Sequence, residues 1–93
     1  MKFPFRVSKN SLPKTNAHVR VVKQSWQLGT IEGEVSAGQF VWNFQWSFRG
    51  GKLAIAPSQG RALIQEPLKR FLEKFDYQLE AGGDYFFTIR AQL

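Results

Sequence analysis

The chain contains no cysteine, which excludes disulfides, thiolate metal sites and a cysteine nucleophile, and suits a reducing compartment such as the cytoplasm. It has a single histidine, His18. A metal centre would therefore have to be built from carboxylates, and Glu32 and Glu34, on the polar side of one strand, offer only two. A Ser-His-Asp triad would have to use His18, and no nucleophile elbow accompanies it. Neither Gly50-Gly51 nor Gly82-Gly83 belongs to a phosphate-cradling glycine pattern. No spacing of acids selects a pair for glycoside hydrolysis. No apolar run approaches the ~18 residues of a membrane span. The start, Met1-Lys2-Phe3-Pro4-Phe5-Arg6, lacks the apolar stretch of a secretory signal. These absences lead to the expectation of a protein that is not an enzyme and holds no metal or cofactor.

Aromatic residues are plentiful: nine Phe, three Trp and two Tyr in 93 residues. That content argues for a folded chain, and a chain this short supports one modest core. The net charge of +6 is unevenly placed. Lys2, Arg6, Lys9, Lys14, Arg20 and Lys23 all precede the first acid, Glu32, whereas from Glu32 onward seven bases face seven acids. A basic leading segment on a neutral body suits an anionic partner, or serves only solubility.

Residues 1–16 hold Pro4, Pro13 and several Ser and Asn without a period, and read as an irregular basic arm before a single domain at 17–93. The β-branched stretch from Ala17 to about Trp26 reads as a strand, with His18 facing solvent. Thr30 to Val35 alternates cleanly, with Ile31, Gly33 and Val35 on one face. Gly33 is expected to make room for a Trp on the neighbouring strand. Ala37-Gly38 makes a hairpin connection to a strand over 40–49, and Gly50-Gly51 predicts a type I′ turn into Lys52–Ala56. Ile64, Leu68, Phe71, Leu72 and Phe75 form one helical stripe. Because proline suits a first turn, the main helix is predicted at 67–76, after a short turn at about 60–65. Tyr77–Glu80 and Tyr85–Leu93 then read as a closing hairpin. The order β-β-β-β-α-β-β describes an α+β two-layer sandwich, a curled antiparallel sheet of five to six strands packed on one main helix.

Phe40, Trp42, Phe44, Trp46 and Phe48 occupy the even positions of the third strand, so all five rings share one face. They supply the apolar face that an antiparallel sheet needs. The sharper alternative is a stacking platform for single-stranded nucleic acid. A ten-residue strand spans roughly 33 Å against ~15 Å for a ten-residue helix, so curling, the arm or a partner must cover the remaining rings.

The stretches Ser11-Leu-Pro-Lys-Thr15, Ala17-His-Val-Arg20, Gln24-Ser-Trp26, Ile31-Glu-Gly-Glu-Val35, Phe44-Gln-Trp46, Gly60-Arg-Ala-Leu-Ile64, Glu66-Pro-Leu68, Gly82-Gly-Asp-Tyr85 and Thr88-Ile-Arg90 carry a likeness over most of the chain. On these the chain resembles a small cyanobacterial family of unknown function, domain-of-unknown-function family three-one-four-six. The resemblance implies a soluble cytoplasmic protein of a photosynthetic bacterium and brings no activity, ligand or catalytic residue. The first ten residues lie outside it.

The expected function is a non-catalytic binding module, an accessory or assembly factor for a protein partner. The alternative is a single-stranded nucleic-acid-binding protein using the basic arm and the sheet aromatics. A third possibility is a small apolar ligand between helix and sheet, with Trp42 and Phe71 in its lining, although a domain this small has little volume to spare. The candidate binding residues are Lys2, Arg6, Lys9, Lys14, Arg20, Lys23, Trp42, Trp46 and Arg49.

Overall fold

The computed structural model describes residues 14–90. Along them run β1 (Lys14–Ser25), β2 (Thr30–Ala37), β3 (Phe40–Ser47), β4 (Lys52–Ala56), α1 (Arg61–Phe75) and β5 (Asp84–Arg90). The sheet order is β4-β3-β2-β1-β5, every neighbouring pair antiparallel. The chain therefore leaves one edge of the sheet after β4, crosses its inner face as α1, and returns at the opposite edge as β5. This is an α+β fold in two layers with five strands and the order β-β-β-β-α-β.

Alternation does the sorting. Val19, Val21, Ile31, Val35, Trp42, Phe44, Trp46, Ile55 and Ile89 point inward and are buried against Ile64, Leu68 and Leu72 of α1. The helical stripe is as expected, with Phe71 and Phe75 half-buried at its border. The opposite sheet face carries His18, Arg20, Glu32, Glu34, Asn43 and Gln45 and has no second layer over it in the described residues. Such a half-solvated sheet is usual for antiparallel topology.

Four expectations are corrected. First, the helix is continuous from Arg61 to Phe75 with Pro67 inside it. Burial of Ile64, Leu68 and Leu72 along the one apolar stripe outweighs the amide lost at proline. Second, Tyr77–Glu80 is not a strand: Asp76–Gln78 forms a single 3-10 turn and Leu79 drops into the core. The Leu79 carbonyl accepts a hydrogen bond from Gln24 Nε2 at 2.7 Å, and β5 pairs instead with the longer partner β1, over Lys14–Arg20. Third, Lys14–Asn16 belongs to β1 rather than to an irregular arm, because that stretch pairs with Thr88–Arg90. Fourth, Ser47 pairs with Lys52, leaving a four-residue connection in which Gly51 alone has positive φ, 65°. That excludes the two-residue type I′ turn.

Gly33 also differs in its reason for being glycine. It sits where β1 carries a bulge, between the pairs Val21↔Gly33 and Lys23↔Glu32. A Cβ there would land on the carbonyl oxygen of Arg20 rather than on an indole ring. The bulge draws the β1 backbone over β2, and at the same point Val21 exchanges hydrogen bonds with the 82–83 loop: Gly82 N to Val21 O at 2.7 Å and Val21 N to Gly83 O at 3.0 Å.

Candidate functional site: a cation-rimmed aromatic groove at the β5 edge

Trp42 and Trp46 are core residues, 1% and 2% exposed. Each buried indole N–H has a partner: Trp42 Nε1 donates to Gln59 O at 2.8 Å, and Trp46 Nε1 to Asp76 Oδ2 at 3.0 Å. Gln59 lies just before α1 and Asp76 just after it. The two tryptophans of β3 thus tack both ends of the helix to the sheet, and neither can meet a partner at the surface. Phe40 and Phe48, at the ends of the aromatic row, are half-buried. Phe40 stacks on Trp42 at 5.3 Å, and Phe48 takes the edge of Trp26 at 5.2 Å. The rings are thus covered by a helix longer than expected and by a neighbouring loop. Trp42, Phe44 and Trp46 are therefore not open to stacking from outside.

Among the described residues, Arg20, Lys23 and Arg49 do not form one patch. Lys2, Arg6 and Lys9, like Phe3 and Phe5, lie outside the described residues. Lys14 opens β1 opposite Arg90. Arg20 stands across from Glu34 on one side and Asp84 on the other, and Lys23 across from Glu32, so carboxylates interleave these cations. Arg49 is exposed and donates from Nη2 to the Trp26 carbonyl at 3.1 Å, bracing the β1–β2 loop against the β3–β4 loop. His18 faces the polar side, half-buried, with Nε2 2.8 Å from Asp84 Oδ1 and its ring stacked on Phe86 at 4.8 Å. That arrangement ties β5 to β1. Among the described residues no three metal-ligating side chains gather, and no helix is long and apolar enough to cross a membrane.

A different set of residues does converge. Between α1 and β5 runs an open groove of ≈ 510 Å³ lined by Pro67, Arg70, Phe71, Lys74 and Phe75 of the helix and by Phe87, Thr88, Ile89 and Arg90 of the strand. Its floor is aromatic. Phe71 stacks on Phe87 with centroids 5.0 Å apart, and Phe75 tilts against Phe71 at 5.3 Å. Among the described residues its charged lining is wholly positive: Arg70, Lys74 and Arg90. Lys74 Nζ lies 5.5 Å from the centroid of the Phe75 ring, within cation–π range. Glu66 approaches Arg70 at 3.8 Å, with both side chains more than two-thirds exposed, so this pair is weak. The groove runs beside β5, which ends the sheet and pairs only with β1 among the described strands.

Sequence reasoning missed this site, although a signal was present. Phe71 and Phe75 are four residues apart, as are Arg70 and Lys74, one position earlier. Two such offset pairs place a basic row beside an aromatic row on one helix face. Trp42 and Phe71, proposed above as joint lining of a ligand pocket, are not brought together: Phe71 lines the groove, and Trp42 is not part of its lining.

Comparison with known proteins finds no matching curated protein and no matching solved structure. Over residues 13–92 the chain matches the family described as Protein of unknown function (DUF3146), and it belongs to that family.

Proposed function

We propose that the protein is a non-catalytic binding module, an accessory or assembly factor that docks on another protein. The observation that carries this reading is the groove between α1 and β5, where a half-buried aromatic floor meets a rim whose described charges are all cationic. A depression of this size with an apolar centre and a charged border has the anatomy of a protein interface. Exposed aromatic surface elsewhere adds to it: Phe86 is 65% exposed and Tyr77 66%. The cyanobacterial origin and cytoplasmic location implied by the resemblance belong to the same proposal.

The nucleic-acid reading is the weaker one. It needed the sheet aromatics, and Trp42 and Trp46 are enclosed. In the groove, Phe71 and Phe87 stack on each other, which takes one face of each ring away from bases.

The test is a pull-down with tagged full-length chain, divided into nuclease-treated and untreated halves. Stoichiometric protein retained in both halves, and lost in the double variant Arg70→Glu/Lys74→Glu, is the expected result. Both positions are exposed or half-exposed on the helix surface, so the variant should fold. Trp46→Ala cannot serve here, because it removes a core ring. Bands that vanish with nuclease would transfer the function to nucleic acid. Empty lanes in both halves would count against any stable partner.

A further inference from the structure

We infer that the groove takes an extended, acidic segment of the partner, which adds to β5 as a sixth strand and sets alternate apolar side chains over Phe71, Phe75 and Phe87. The inference rests on the binding-module reading and adds the geometry and chemistry of the bound segment.

Three observations carry it. The first is the edge. β5 runs seven residues, Asp84–Arg90, and pairs on one side with β1. On its other side alternate residues direct N–H and C=O groups away from the sheet, which is the template that strand addition uses. Its own sequence also lacks two devices that blunt an edge: β5 contains no proline and no lysine, and its centre reads Tyr85-Phe-Phe-Thr-Ile89.

The second is the register of groove and edge. Phe87 and Ile89 are inward-facing residues of β5 and also line the groove, along with the adjoining Thr88 and Arg90. A strand laid along β5 therefore has one face over the groove and the other over solvent. Its side chains alternate between the two, so every second residue would enter the aromatic floor. Phe71 and Phe75 from the helix close the far wall and fix the depth available to those side chains.

The third is sign. Arg70, Lys74 and Arg90 border the groove, and among the described residues no acid lines it. A segment with carboxylates among its apolar residues matches that rim and gains encounter rate from it. The partner's carboxylate can displace Glu66 from Arg70, since that contact is 3.8 Å long and exposed. The same sign argues against two other occupants. Residues 1–13 carry Lys2, Arg6 and Lys9 and no acid, so their charge repels the rim. A second copy pairing β5 with β5 would bring Arg70, Lys74 and Arg90 toward the same cations of the other chain.

The experiment selects an unbiased ten-residue peptide display library on immobilised full-length chain, then measures the winning peptides by fluorescence anisotropy. Winners are expected to alternate apolar residues with positions enriched in Asp and Glu. Their affinity should fall at least about tenfold in Arg70→Glu/Lys74→Glu, and weaken as salt is raised. Methylating alternate backbone nitrogens of the peptide, on the edge that faces β5, should cost at least about tenfold more than methylating the other set, because a methylated amide cannot donate to a ladder. Amide exchange of Tyr85–Arg90 should slow on binding. Binding that ignores both backbone methylation and charge reversal would overturn the inference, as would displacement of the peptide by an oligothymidine. A library without winners overturns strand addition by itself. If the pull-down still captures a nuclease-resistant partner, the module reading survives with its interface elsewhere. If both experiments are empty, both readings fall together.

Discussion

Replacing Gly33 with alanine should damage this domain far more than a single methyl normally does. Gly33 lies in β2, paired with Val21 of β1 on one side and Phe44 of β3 on the other. An added Cβ meets the Arg20 carbonyl oxygen deep inside contact distance and comes within 3.1 Å of Val21 Cα. Those are backbone atoms of a strand that is itself paired on both sides, so no side-chain rotation relieves the overlap. Relief requires β1 to lift from β2 at the bulge, or the bulge to be lost. Losing it would shift Lys23–Ser25 by one position and turn Gln24, whose amide holds Leu79, toward solvent. Overpacking alone costs about 1–3 kcal/mol, and two weakened ladder hydrogen bonds add about 1 kcal/mol each, for a total of about 3–5 kcal/mol. At ~4–8 °C per kcal/mol for a domain of this size, the melting temperature should drop by at least ~12 °C. Gly50→Ala is the matched reference. Its new Cβ would meet only Ser47 Oγ at 3.8 Å and Lys52 Cγ at 3.9 Å, at an ordinary φ. Both substitutions reduce the entropy of the unfolded chain alike, by about 0.4–1 kcal/mol, so the difference between them isolates the clash. Urea and thermal unfolding followed by the fluorescence of the buried Trp42 and Trp46 measures that difference. If the two variants unfold within about 1 kcal/mol of each other, the reasoning about the bulge is wrong.

Trp46→Phe removes the donor to Asp76 and part of a ring that is 2% exposed; a loss of about 2–4 kcal/mol is expected. Asp76→Ala should cost only about 1 kcal/mol, and a double-mutant cycle in urea should show the two coupled. Pro67→Ala restores an amide inside α1, where proline is worth about 3 kcal/mol less than alanine. Even after the lost ring contacts in the groove, the melting temperature should rise, and a fall measured by scanning calorimetry would refute that account. His18→Ala breaks an exposed pair with Asp84 and the stack on Phe86. Global stability should change by no more than about 1 kcal/mol, while amide exchange in β5 quickens.

The strands were legible where one face is dry and the other wet. β2 and β3 alternate because Ile31, Val35, Trp42, Phe44 and Trp46 must all reach the same helix, and a period of two written that plainly has few other meanings. The helix was legible as a stripe, but its start was not. Local preference at Pro67 argued for a boundary that burial of Ile64 overrode. Tyr77–Glu80 misled for the opposite reason. Its alternation resembles a strand, yet its backbone bonds are turn-like (Leu79 N to Asp76 O, and Gly83 N to Glu80 O) except at the Leu79 carbonyl, which the distant Gln24 side chain holds. Nothing within ten residues announces the Gln24 contact. Gly33 was seen as a packing glycine, but its neighbour is a strand bulge, and bulges are set by pairing rather than by composition.

The candidate site was hidden by summing charge along the chain. From Glu32 onward seven bases cancel seven acids, which suggested a body without electrostatic character and drew attention to the leading cations. Folding sorts that zero by face. Glu32 and Glu34 go to the open side of the sheet, where Arg20 and Lys23 stand across from them. Arg70 and Lys74 go to the helix layer and Arg90 to the end of the edge strand, around three phenylalanines. Cancellation over the sequence is therefore compatible with strong local sign, because the distance that governs attraction runs through space and is screened within about 10 Å. The same sorting explains why the aromatic strand, the loudest feature of the sequence, became core while quieter aromatics became the groove floor. β3 is an interior strand with β4 and β2 on its flanks, whereas β5 lies at the sheet's edge, where Phe87 lines an open groove beside the helix. Position in the sheet, more than hydrophobicity, decides which rings a partner can reach.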